Sequence, residues 1–332
     1  MERPIHGGDV WLEGREHMLD FSVSINPLGM PKEVQEAAME GVRLSGRYPD
    51  IGSRALTGDI AERYGLPKEN ILVGNGAAEL IDAACRAIRP GHIMTEAPTF
   101  TEYERAANAK WTDRIDEADL VCICNPNNPT GKLCRKEALL AMMEECGKRG
   151  IFMMVDESFL PFSEESEANS LLDQVENAPF LIVIRSFTKI YAMPGLRLGW
   201  AAVGNGDLRG KICASLQPWN VSVPAQLAGR AALRLPDFEN QTRRFVKEER
   251  TRMMTAVSAR PEYRIWGPSD ANFFLFEGPE GLECALRHQD ILIRQCADMR
   301  GLTSHHYRVA VRRSPDNDRL MRELGALNCS EL

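Results

Sequence analysis

No run of apolar residues in this chain is long enough to cross a bilayer; the longest, Ile151 to Val155 and Phe180 to Ile184, have the length of strands. The start of the sequence is polar and does not resemble a signal peptide, so a cytoplasmic location and no membrane partner are expected. Cysteine occurs at 85, 122, 124, 134, 146, 213, 284, 296 and 329, with no Cys-x-x-Cys pair and no histidine at ligand spacing. That pattern excludes a zinc cluster or a disulfide framework and leaves reduced thiols and no metal as the expectation. Cys122 and Cys124, two apart on one predicted strand, share a face and read as small buried apolar residues. Positive charge is not in excess either: 40 Lys and Arg stand against 47 Asp and Glu, a net charge of −7, which argues against a nucleic-acid partner. Repeats, low-complexity tracts, acidic tails and basic helix-turn-helix segments are missing as well, which disfavours a DNA-reading regulator.

What is present is an ordinary globular composition, 44% hydrophobic and 26% charged over 332 residues, enough for a large core and for division into two domains. Short apolar runs alternate with amphipathic stretches between about residues 53 and 215. Strands are predicted at 71–73, 92–95, 120–124, 151–155, 180–185 and 198–203, and helices at 53–64, 77–88, 101–109, 135–148 and 207–216. Strand and helix in alternation imply an α/β fold with a mostly parallel sheet sandwiched by helices, and in such sheets ligands gather beyond the carboxyl ends of the strands. After Pro218 the pattern changes to long helices, 224–235 and 237–259, then short strands at 263–266, 272–277, 291–294 and 307–312, and a last helix announced by Ser314 and Pro315. The expected organisation is an N-terminal segment, 1–45, packing with a smaller α+β domain at 218–332, and a large domain at 46–217.

The chemistry lies at the predicted strand ends. Ser186-Phe187-Thr188-Lys189 follows one strand, and Arg197 comes eight residues after the lysine. A hydroxyl, an amine and a guanidinium on one loop suit a phosphorylated aldehyde held covalently by a lysine, which describes pyridoxal 5'-phosphate. Gly74-Asn75-Gly76-Ala77-Ala78-Glu79 joins a strand to a helix, so the N–H groups of Gly76, Ala77 and Ala78 can receive a phosphate; the motif also reads as an ordinary turn. Asn125 to Gly131 is a rigid turn from which Asn128 can donate to a ring oxygen or simply bond its own backbone. Asp156 ends the most apolar strand, where a carboxylate suits a protonated pyridine nitrogen or a helix N-cap. Phe100 can stack on the ring or fill the core. The whole set falling at successive strand ends favours the cofactor reading over each plain alternative.

With these motifs the chain resembles the fold type I pyridoxal-phosphate enzymes of the aspartate aminotransferase superfamily over essentially its full length. Within it the chain resembles the histidinol-phosphate aminotransferase branch, and most closely the threonine-phosphate decarboxylase family of cobalamin biosynthesis. The resemblance rests on His6 to Asp9, Asp20 to Ser22, Ile25 to Pro31, Arg47 to Asp50, Pro218 to Val221, Ile291 to Cys296 and Tyr307 to Arg312. It implies that Lys189 is the Schiff-base lysine, that Asp156 pairs with the pyridine nitrogen and that Asn128 contacts the ring oxygen. Ser186, Arg197, Gly76, Ala77 and Ala78 would hold the cofactor phosphate, and Phe100 would stack on the ring. Tyr48 would reach the same phosphate from a partner subunit, implying a homodimer with shared sites. Arg308 would bind the substrate α-carboxylate, and Arg294, with His6 and the Asn26 loop, the substrate phosphate.

Two departures qualify the match. Phe159 stands where related aminotransferases commonly carry a tyrosine that touches the ring oxygen, a change that favours the decarboxylase; Ala78 stands where a hydroxyl often assists the phosphate. The stretch 108–118 is short, which predicts a trimmed sheet edge. The implied activity is decarboxylation of L-threonine O-3-phosphate to (R)-1-amino-2-propanol phosphate, or of serine phosphate to ethanolamine phosphate. Transamination of histidinol phosphate is the alternative. One methyl contributes only about 1 kcal/mol, so sequence does not separate the first two substrates. His305 and His306 are expected in a loop, and Trp219 either borders the substrate pocket or packs the domain junction.

Overall fold

Continuous apolar runs form the centre of the molecule because a strand buried on both faces has no need of polar alternation. The computed structural model describes residues 6–12 and 14–327; Cys329 lies outside them. Seven strands make the large sheet: β2 (Ile71–Gly74), β3 (His92–Thr95), β4 (Lys110–Thr112), β5 (Leu120–Cys124), β6 (Phe152–Asp156), β7 (Leu181–Ser186) and β8 (Gly199–Val203), in the order β2-β8-β7-β6-β5-β3-β4. Strands β4, β3, β5, β6 and β7 run parallel, and β8 is antiparallel to both β7 and β2. Strand β7, flanked by β8 and β6, is buried at every position, and each fully buried Leu, Ile or Val there contributes about 1.5–3 kcal/mol.

Helices cover both faces, and their ends follow local chemistry. Helix Lys136–Arg149 stops at Gly150, whose φ of 70° is the left-handed conformation that glycine adopts without strain. Helix Gly206–Ser215 begins at Asn205, whose side chain accepts from the Leu208 amide at 3.0 Å. Helix Lys32–Arg43 packs on helix Val223–Ala232 so closely that a Cβ on Gly41 would lie 2.4 Å from Pro224 Cα. The large core therefore extends past residue 217, taking in Ala225, Ala228 and Ala232.

A second core surrounds a smaller sheet of β9 (Arg264–Ile265), β10 (Phe273–Glu277), β12 (Arg294–Gln295) and β13 (His306–Ala310), all antiparallel. The N-terminal β1 (Leu19–Asp20) pairs in parallel with β11 (Ile291–Leu292), and Phe21 enters this second core. No helix among the described residues is long and apolar enough to cross a membrane.

Three expectations are corrected. The stretch expected to trim the sheet edge supplies it: Lys110–Thr112 pairs with β3 in the register His92 to Lys110. The strand expected at 291–294 breaks in two, because Leu292 pairs with Asp20 whereas Arg294 pairs with Arg308 in the other sheet. His306 is a buried strand residue whose Nδ1 meets the Thr303 amide at 3.1 Å, so only His305 is exposed.

Candidate active site

Beyond the carboxyl edge of the large sheet lies a cavity of about 310 Å³. Strand β7 ends at Ser186, whose Oγ accepts from the Thr188 amide at 3.2 Å and so starts the single turn Phe187–Ile190. That turn aims Lys189 into the cavity. The lysine ammonium is pushed down to about 8, first by burial and then by the neighbouring cations Arg308 and Arg197, with Asp156 opposing. An amine with this proton affinity keeps a far larger neutral, nucleophilic fraction near neutral pH than an exposed lysine does.

Asp156 closes β6 and lines the same cavity. Its Oδ1 accepts from the Ser158 amide at 2.9 Å and its Oδ2 from the Tyr103 hydroxyl at 2.7 Å. Burial raises its pKa, and these hydrogen bonds, with the Lys189 charge, pull it back. The adjoining Glu157 points to the other face of the strand and is fully buried against Arg185, 2.9 Å away.

The anion cradle comes from the turn after β2. Gly76 has φ 85°, and a Cβ there would lie 2.6 Å from Arg197 Nη2, so the guanidinium rests against a bare Cα. Helix Ala77–Ile88 follows with no side-chain cap, and Ala77 and Ala78 face the cavity. Ser186 Oγ and Thr188 Oγ1, 2.7 Å apart, complete the group. Uncapped helix N–H groups, two hydroxyls and a guanidinium around a side-chain-free glycine fit a phosphate. A lysine of lowered pKa and a hydrogen-bonded carboxylate on the same cavity fit the ring that such a phosphate would carry. The residues present thus suit pyridoxal phosphate.

The opposite wall belongs to the smaller sheet and the N-terminal segment. Arg308 is buried and pushed down to about 10, chiefly by desolvation; its Nη1 donates to Asn128 Oδ1 at 2.5 Å and its Nη2 to the Ser22 carbonyl at 2.6 Å. Arg294 stands opposite it in register and pairs with Asp298 at 2.7 Å. His6 reaches the cavity with Nε2 3.0 Å from Glu102 Oε1, and Phe100 lines it with its ring centroid 6.1 Å from that of His6.

One expected residue sits elsewhere. The Asn26 amide donates to the Ile190 carbonyl at 2.6 Å and to Thr242 at 2.7 Å, outside this cavity; Ser22 and Ser24 from the preceding turn line it instead. Tyr48, expected to act on a partner subunit's site, is 78% exposed and stacks on Trp219 with centroids 4.6 Å apart, and neither lines this cavity. Sequence reasoning missed Tyr103 and Glu102. Tyr103 follows Phe100 by three residues, helical spacing that would have placed both rings on one side.

Comparison with known proteins gives the same picture. The model of the family "Aminotransferase class I and II" matches residues 16–115 and 109–323. A threonine-phosphate decarboxylase of Salmonella typhimurium is 34% identical over 93% of this chain and 91% of its own length. A histidinol-phosphate aminotransferase of Desulfitobacterium hafniense is 30% identical over 91% and 89%. The crystal structure of the histidinol-phosphate aminotransferase from Clostridium acetobutylicum superposes with a TM-score of 0.87 at 29% identity, covering 95% of this chain and all of that one. The chain belongs to the class I and II aminotransferase family, of fold type I, and its cofactor is pyridoxal 5'-phosphate.

Proposed function

We propose that this chain is a threonine-phosphate decarboxylase, converting L-threonine O-3-phosphate to (R)-1-amino-2-propanol phosphate, the linker of the cobalamin nucleotide loop. The observation that carries the reading is the register of the small sheet, which sets Arg294 directly across from Arg308 with both side chains on one cavity. Like charges opposite each other are unfavourable in a sheet; Asp298 pairs directly with Arg294, and only more distant acids, Asp298 and Asp20, act on Arg308. A substrate with a carboxylate and a phosphate relieves that cost at both positions. Histidinol phosphate carries a single anionic group, so an aminotransferase would fill both positions only with its 2-oxoglutarate partner.

In this reading Arg308 grips the α-carboxylate, and Arg294 with His6 holds the phosphate. Bound pyridoxal phosphate supplies the electron sink for the bond broken at Cα. Asp156 would pair with the ring nitrogen, and Asn128, whose Oδ1 accepts from Arg308, would offer its amide N–H to the ring oxygen. The Cα–carboxylate bond breaks, carbon dioxide leaves without the bonding pair, and Lys189 Nζ returns a proton to Cα. Phe159, edge-on to Phe273 at 4.9 Å, keeps water from the face of the cavity it lines. The 34% identity to the Salmonella enzyme supports this reading. The exposed Tyr48 and its neighbour Trp219 suit a second copy, so a homodimer completes each site in this proposal.

The test is product identification with the cofactor-loaded protein. Carbon dioxide released from L-threonine phosphate without any 2-oxo acid supports decarboxylation. Product that forms only when 2-oxoglutarate is added, with the carboxylate retained, overturns it in favour of an aminotransferase. Serine phosphate assayed in parallel fixes the substrate.

A further inference from the structure

Tyr103 is 1% exposed and lies on the short helix Glu102–Ala107, far in sequence from the cofactor lysine, yet its hydroxyl donates to Asp156 Oδ2 at 2.7 Å. The same ring stands edge-on to Phe100, with centroids 5.6 Å apart and planes at 83°. One residue thus touches both the acid at the end of β6 and the aromatic wall of the cavity. The other acid oxygen is held by the Ser158 amide, so neither oxygen is free to turn.

We propose that Tyr103 is a positioning residue for the cofactor: it fixes the Asp156 carboxylate in its anionic form and in the orientation that faces the pyridine nitrogen. The inference rests on the cofactor assignment and holds for either a decarboxylase or an aminotransferase. Burial alone favours a protonated, neutral Asp156, which would pair poorly with a ring N–H; a donated hydroxyl proton opposes that. Tyr103 itself keeps its proton, because its own burial and the nearby acid charge raise its pKa well above the ordinary value. The other titratable groups around Asp156 are Cys122 and Cys124 on β5 and Lys189 beyond β7; neither cysteine appears among the hydrogen-bond donors to the carboxylate. Ser158 steadies the carboxylate from within its own turn, and Tyr103 is the side chain from another element that holds Asp156 Oδ2 in place.

The experiment is a double-mutant cycle on cofactor affinity. Tyr103→Phe, Asp156→Asn and the double variant are prepared as apoproteins, and their pyridoxal-phosphate dissociation constants are measured by absorbance titration. Thermal melting of each apoprotein reports on folding. Tyr103→Phe is expected to weaken binding by about tenfold or more, the loss for a hydrogen bond to a charged group, and to change nothing further once Asp156 is already Asn. Its deficit also grows as pH falls, because the unassisted carboxyl protonates at higher pH. An unchanged dissociation constant overturns the proposal. So does a deficit that is independent of pH or persists undiminished in the Asp156→Asn background, because either one marks a packing role.

Discussion

Asn128 Oδ1 accepts a 2.5 Å hydrogen bond from Arg308 Nη1, tying the turn after β5 to the small sheet across 180 positions of sequence. Arg308 also donates to the Ser22 carbonyl, so its planar fork is held at two points while its charge faces the cavity. A lysine in its place keeps the charge but loses the rigid planar fork that is held at two points and can meet a carboxylate with two parallel N–H groups. Arg308→Lys is expected to raise KM for L-threonine phosphate by about tenfold to a hundredfold, the range for losing a hydrogen bond to a charged group. Steady-state kinetics check it; an unchanged KM removes Arg308 from the carboxylate.

Gly76 offers a test of the cradle that does not depend on the reaction. At φ 85° an added Cβ is strained by about 1–2 kcal/mol, and here it also lies 2.6 Å from Arg197 Nη2. Gly76→Ala is therefore expected to lower apoprotein stability by that amount and to weaken cofactor binding by about tenfold as Arg197 is pushed aside. Denaturant unfolding and cofactor titration measure the two effects separately. Normal binding in a destabilised variant would take Arg197 off the phosphate.

The parts of the site readable from sequence are those fixed by one strand and the few residues after it. Lys189, Asp156, Asn128 and Ala77 each follow an apolar run directly, and a parallel sheet brings all such ends to one edge. The sheet itself was legible for the same reason, since runs such as Leu120–Cys124 need no tertiary context to be recognised. Asn26 failed because its partners, Ile190 and Thr242, lie 164 and 216 positions away and nothing local announces them. Tyr103 escaped because it touches Asp156 across 53 positions. The edge strand Lys110–Thr112 is three residues with an exposed lysine, too short for periodicity to register.

Glu157 and Asp156 are adjacent acids with opposite duties. Glu157 meets Arg185 at 2.9 Å, Ser170 Oγ at 2.8 Å and the Leu171 amide at 2.9 Å, all away from the cavity. Arg185 keeps a second acid, Glu167, at 3.0 Å when Glu157 is removed, whereas removing Arg185 strands the buried Glu157 charge, so Arg185→Met is expected to cost about 3–5 kcal/mol of folding stability. Replacing both Glu157 and Arg185 by apolar residues of similar size should cost much less. Urea denaturation of the single and double variants checks this. Equal losses in both would mean that packing, and not the unpaired charge, sets the penalty.

Lys189 sets a pH dependence in the apoprotein. Its pKa falls from 10.5 in an exposed chain to about 8 here, chiefly through burial, so the folded protein binds the proton less tightly than the unfolded one. Below pH 8 the amine is charged in both states, and folding carries the full cost, about 3 kcal/mol. Between about pH 8 and 10.5 the folded state releases the proton first, and stability rises with pH. Replacing the amine by a neutral group of similar length removes the cost at its source. Lys189→Met apoprotein is therefore expected to be more stable than the parent at pH 7, and the gap is expected to narrow as pH rises from 8 to 10. Denaturant curves at several pH values give both numbers. A variant that is less stable at pH 7, or a gap that stays constant with pH, would mean that the amine is not held at a cost, and with it would go the account of why this lysine is nucleophilic.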